Sequence, residues 1–179
     1  MKKVGLALLV IVLIFMGMYL RNNRESNGDF LDDELAEIEN YLPKRDVLNI
    51  EVSQADVAWH LDYMLKTINQ ISKTVQDSNP EEYEYSFSLQ QVVVHTLGMI
   101  PRGAAQSPKS VRPPEVILTD SINVQLKEAR HHIAQLNSLN EKAYFNHPVF
   151  NTLDRDQTRR FLAIHTKHHL KIIKDILKE

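Results

Sequence analysis

Phe161-Leu162-Ala163-Ile164-His165-Thr166-Lys167-His168-His169-Leu170-Lys171-Ile172-Ile173 is the stretch whose reading decides the fold. Residues i and i+4 of an α-helix lie one above the other, so His165 and His169 leave the same face. Phe161, Leu162, Ile172, Ile173 and Ile176 share that face and make it apolar. An imidazole aimed into an apolar helical core is costly unless its nitrogens find partners. A divalent metal is one such partner, because neutral imidazole is the commonest metal ligand in proteins. A helix that buries such a face needs other helices to bury it against.

Composition points the same way. A chain of 179 residues accommodates one domain with an appendage and a sizeable core. The formal charge is −2, with no basic stripe of the kind a nucleic-acid partner requires. There is no cysteine, which excludes disulfides, a thiolate nucleophile and any Cys-ligated metal. Of five glycines, Gly5, Gly17 and Gly28 precede the folded part. Gly98 and Gly103 alone are too few turn residues for a many-stranded sheet, so an all-α fold is expected.

At the amino terminus Lys2 and Lys3 precede Val4 to Leu20, seventeen residues without a charge, and Arg21 follows. That length is at the short end of the ~17–25 residues that span a bilayer. A cleaved signal peptide would carry a shorter apolar core ending in small residues, and Met18-Tyr19-Leu20-Arg21 offers none. The expectation is a single transmembrane helix over residues 1–21, with the lipid bilayer as its partner. A very short tail ahead of such a core stays in the cytoplasm and places the domain on the extracytoplasmic side.

Residues 22–51 read as an acidic linker. Within it Leu31, Leu35, Ile38 and Leu42 recur at a 4-3-4 spacing, the stripe of a short amphipathic helix ending before Pro43. That helix is expected to pack on the domain; its alternative is to pair two copies of the chain as a homodimer. Residues 52–179 read as a four-helix bundle. Helix one runs from about Ser53, its cap, to Asp77, with Val57, Leu61, Met64, Ile68, Ile71 and Val75 buried. Helix two covers 85–100 and stops at Pro101. A long proline-rich crossover follows to Glu115, helix three runs from about Asp120 to Asn137, and helix four opens on a capping box of Asp154 and Gln157.

His60 lies on the buried stripe of helix one, so His60, His165 and His169 form the candidate metal ligands. Three protein ligands with a position left open describe a catalytic rather than a structural site. The bland alternative gives each imidazole a hydrogen bond to the protein or to water. His168 competes as a ligand but has Lys171 as its turn-neighbour, which suggests an edge. His95 is ambiguous, and His131 and His132 are expected to be exposed. Lys167, Lys171, Lys174 and Lys178 form one solvated stripe. Arg102, Lys109 and Arg112 in the crossover would cover a pocket and attract an anionic substrate, or simply keep a loop soluble. Asp56, one turn before His60, is placed to orient an imidazole. No Ser-His-Asp set, phosphate loop or His-Glu-x-x-His motif occurs.

Trp59-His60-Leu61-Asp62-Tyr63-Met64-Leu65-Lys66-Thr67-Ile68 and the His165-x3-His169 helix resemble the histidine motifs of the DinB/YfiT-like superfamily of four-helix metalloproteins. Pro101-Arg102-Gly103, Ser107 to Pro114, and Asn146-His147-Pro148-Val149-Phe150 resemble more closely its branch called domain of unknown function 1569. The likeness covers about Val52 to Glu179. It implies a bundle whose His60, His165 and His169 hold a divalent transition metal, either zinc, nickel or iron. Some relatives transfer low-molecular-weight thiols to electrophiles or use such a thiol as cofactor. The resulting expectation is a membrane-anchored metal-dependent transferase or hydrolase acting on a small-molecule substrate or thiol. The competing expectation is a non-catalytic anchored interaction module with structural histidines.

Overall fold

In the computed structural model, the apolar stripes anticipated for three long helices meet in one core. α3 (Val57–Gln76) packs against both α5 (Thr119–Leu136) and α6 (Arg155–Leu177). Leu61, Met64, Leu65 and Ile68 of α3 interlock with Ile122 and Leu136 of α5 and with Leu162 and Ile173 of α6, all fully buried. The structure describes residues 2–22, 24, 28–103 and 108–179.

The remaining helices differ from expectation. α2 (Asp32–Tyr41) carries the 4-3-4 stripe and packs on the domain, burying Leu31, Leu35 and Ile38 against α5 and α6. Its acidic side meets the lysine stripe of α6: Lys167 Nζ lies 3.3 Å from Glu34 and Lys174 Nζ 2.7 Å from Glu37. α4 (Leu89–Leu97) is nine residues long rather than sixteen. Ser88 caps it by accepting the Gln91 N–H, and Gly98 ends it in the left-handed region at φ 65°, before Pro101 is reached. α4 buries only Gln91, His95 and Thr96 and leans on the edge of α6. α3 likewise starts later than expected, with Asp56 accepting the Trp59 N–H as its cap in place of Ser53.

Nor is the fold all-α. Tyr144–His147 (β1) and Asn151–Asp154 (β2) form an antiparallel hairpin, paired from Tyr144 with Asp154 to His147 with Asn151. Its tight turn is made without glycine, through Asn151 at φ 62° and the His147 imidazole, whose Nδ1 accepts the N–H groups of Val149 and Phe150 at 3.1 Å each. The hairpin leads directly into α6, whose capping box of Asp154 and Gln157 is formed as expected.

The expectation of a membrane anchor is corrected. The apolar run lies in α1 (Lys2–Asn22), but among the described residues no helix is long and apolar enough to cross a membrane. Seventeen residues at 1.5 Å rise span about 26 Å, short of the ~30 Å hydrocarbon core. α1 runs beside α4, and Tyr19 at its end lies within electrostatic reach of Arg24, Tyr85 and Asp154. With the transmembrane helix go the bilayer as partner and the extracytoplasmic placement argued from it. Among the described residues, six α-helices and a small hairpin therefore replace the expected four-helix bundle behind a membrane span.

Candidate metal centre

α6 fixes two of the three imidazoles by spacing alone. His165 and His169 stand one turn apart, ring centroids 4.7 Å from each other. α3 brings the third across the core: His60 Nδ1 lies 3.0 Å from His169 Nδ1, a hydrogen bond between imidazoles 109 residues apart in sequence. The other nitrogen of His60, Nε2, is 3.1 Å from the Ser53 hydroxyl, which also accepts the Ala55 N–H. Ser53, expected as the helix cap, instead holds His60 from behind, while Asp56 is occupied with the helix terminus. All three histidines are buried.

Aromatic rings enclose them. Trp59 and Tyr63 stack at 4.9 Å, and Tyr63 lies 5.3 Å from His165 and 5.0 Å from His169. Phe161 closes the far side of His165 at 5.6 Å. Burial in this apolar shell penalises the imidazolium form. It pushes His60 down to about 4 and His165 to about 3, with His168 adding to both and Arg102 adding to His60. His169 is also held well below its ordinary value, by burial and then by its neighbouring histidines. At neutral pH all three rings are uncharged, with lone pairs available.

The fit to a divalent metal is close for two donors and incomplete for the third. Two nitrogens each bonded to one ion at about 2.0–2.1 Å stand roughly 2.9 Å apart at right angles and about 3.3 Å apart in a tetrahedron. The 3.0 Å between His60 Nδ1 and His169 Nδ1 falls in that interval. His165 Nδ1 is buried without a hydrogen-bond partner, the state of a donor that lacks its acceptor. Even so, among the described residues no group of three His, Asp or Glu side chains is arranged to hold an ion. The three histidines thus converge without forming a ready-made ligand set.

The other candidates are distributed around this centre. His168 is half-buried, its ring edge-on to His169 at 5.0 Å and its N–H donated to the Ile100 carbonyl. His95 is fully buried, but its ring faces Phe150 at 6.0 Å rather than the trio. His131 is exposed as expected; His132 is half-buried, its Nδ1 3.2 Å from Asn69 Oδ1. Lys109 and Arg112 are exposed and do not join Arg102 beside the centre.

Two groups escaped the sequence reading. His147 stacks on Phe150 at 4.4 Å and meets Phe161 edge-on at 4.6 Å, which carries it close behind His165 and pushes it down to about 4 by burial. Its signal was the His-Pro-x-Phe order, in which a ring nitrogen reaches the N–H groups two and three residues on. Asp62, fully buried on α3, is ion-paired with Lys66 at 2.8 Å and accepts a hydrogen bond from Gln125 at 2.7 Å.

The helical core thus encloses three buried imidazoles contributed by two helices. Residues 34–175 match the family described as protein of unknown function (DUF1569), and the chain belongs to it, within the DinB/YfiT-like superfamily. The match begins at Glu34, inside α2. No curated protein and no solved structure is similar enough to the chain to match it.

Proposed function

We propose that His60, His165 and His169 together bind one divalent transition metal, and that the protein is a metal-dependent transferase or hydrolase acting on a small molecule. The observation that carries this reading is the contact of His60 Nδ1 with His169 Nδ1 at 3.0 Å beside the orphaned His165 Nδ1. Three uncharged imidazoles turned to one another inside an aromatic shell have more acceptor capacity than the protein uses. Membership of a superfamily in which metal binding is frequent supports the same reading. Such an ion supplies Lewis acidity, activating water or polarising a substrate oxygen without a nucleophilic side chain.

The chain's own residues supply the rest. Ser53 fixes the His60 ring through Nε2, which keeps Nδ1 turned to the centre. Trp59, Tyr63 and Phe161 exclude water from the imidazoles and hold them uncharged.

The test is metal content. Full-length protein purified without chelator is expected to carry one equivalent of a transition metal by elemental analysis. His60→Ala, His165→Ala and His169→Ala should each abolish stoichiometric binding, while His168→Ala and His131→Ala retain it. Absence of metal from the parent after reconstitution with zinc, nickel and iron would overturn the reading and leave a helical module with structural histidines.

A further inference from the structure

His168 belongs to two environments. Its ring abuts His169, and it also lines a cavity of about 530 Å³ between the Gly98–Arg102 turn and α6. Three cations line this cavity, Arg102, Lys167 and Lys171, against a single carboxylate, Asp175. Its remaining walls include Met99, Ile100 and Ile164. Arg102 pairs with Asp175 and Lys167 with Glu34 of α2, which leaves Lys171 as the excess positive charge of the lining.

The lysine stripe of α6 is therefore not uniform. Lys174 is neutralised by Glu37 of α2 and lies outside the cavity. Lys171 and Arg102 instead face a concave, partly apolar space. That space adjoins the histidine centre through His168, which lines it and whose ring lies 5.0 Å from that of His169.

We infer that this cavity receives the anionic end of the substrate, which is a small organic acid: a carboxylate or phosphate on a short apolar stem. Guanidinium and ammonium groups take up the anion through charge-assisted hydrogen bonds. The stem lies on Met99, Ile100 and Ile164, and the seat is one imidazole away from the three-histidine centre. Neutral and cationic molecules of the same shape gain nothing from these groups. The inference rests on the metal reading above and gives it a substrate class.

The experiment follows backbone amide shifts of the zinc-loaded full-length protein during titration with pentanoate, butylphosphonate and the neutral pentanamide at constant ionic strength. At least one anion should saturate at about a tenfold lower concentration than the amide, shifting Gly98–Arg102 and Lys167–Lys171. The tighter anion names the head group. Arg102→Gln and Lys171→Gln, both at exposed positions, should each cut the preference severalfold while zinc stoichiometry is unchanged. Equal binding of amide and anions, or a preference that survives both substitutions, overturns the inference while leaving the metal centre standing. Failure of the parent to take up zinc overturns the centre instead.

Discussion

Acid should dismantle this domain early, through its buried histidines. In the unfolded chain an imidazole has a pKa of about 6.5. Folding lowers His60 and His147 to about 4 and His165 to about 3, in each case chiefly by burial. Below pH 6.5 the unfolded state therefore binds more protons, and stability rises with pH across the window between the folded values and 6.5. It is fully present above about pH 6.5 and is lost as pH falls. At pH 5 each group withdraws roughly 2 kcal/mol, so the three together withdraw about 6 kcal/mol, and by pH 4 about 9 kcal/mol. His169, shifted in the same direction, adds to this. Domains of this size hold only about 5–15 kcal/mol, so the loss is decisive.

Urea unfolding followed by circular dichroism from pH 7.5 to 5, with chelator present and ionic strength fixed, measures it. The midpoint should fall steeply below pH 6.5. His147→Gln keeps an acceptor at the hairpin turn but cannot charge, so its stability difference between pH 7 and pH 5 should be smaller than the parent's by roughly 2 kcal/mol. A midpoint unchanged between pH 7 and pH 5 would refute the reasoning, because it would mean that the imidazoles are as easily protonated in the folded protein as in the unfolded one.

Further expectations follow from single contacts. Ser53→Ala removes the partner of His60 Nε2 and should weaken zinc affinity by ~10–100-fold in a chelator competition, whereas Ser53→Thr keeps the hydroxyl and should bind like the parent; equal affinity in all three would show that Ser53 does not position the ring. Leu162, fully buried between α3 and α6, should cost about 2–5 kcal/mol on substitution by Ala in urea unfolding. Exposed Val116 serves as its control and should change stability by less than ~0.5 kcal/mol.

What the sequence disclosed and what it hid divide along physical lines. The stripes Leu61–Met64–Ile68, Ile122–Leu126–Ile133 and Leu162–Ile173 were legible because long helices repeat their burial pattern over several turns. So was the stripe of α2, and so was the Asp154–Gln157 capping box, whose chemistry depends only on a four-residue spacing. The hairpin was not, since Tyr144–His147 and Asn151–Asp154 are four residues each, too short to show alternation. Counting glycines argued against it, yet Asn151 and the His147 side chain make the turn that glycine usually makes. The apolar run of α1 was legible by its lack of charge, whereas among the described residues no helix is long and apolar enough to cross a membrane.

For the centre, the boundary between the two is sharper still. The common face of His165 and His169 is a property of one helix and could be read from thirteen residues. The meeting of His60 with His169 depends on where α3 begins, and two candidate caps, Ser53 and Asp56, stand three residues apart. Placing the cap at Asp56 starts the helix at Val57, puts His60 in its first turn, and frees the Ser53 hydroxyl to hold the ring from the loop. A cap at Ser53 would bind its hydroxyl to the helix terminus, leaving His60 Nε2 without that partner. One cap thus decides both the helix boundary and the orientation of the imidazole, and no periodicity of apolar residues encodes the choice. It follows from which N–H group each side chain accepts: Asp56 takes that of Trp59 at the helix terminus, and Ser53 takes that of Ala55 in the loop before it.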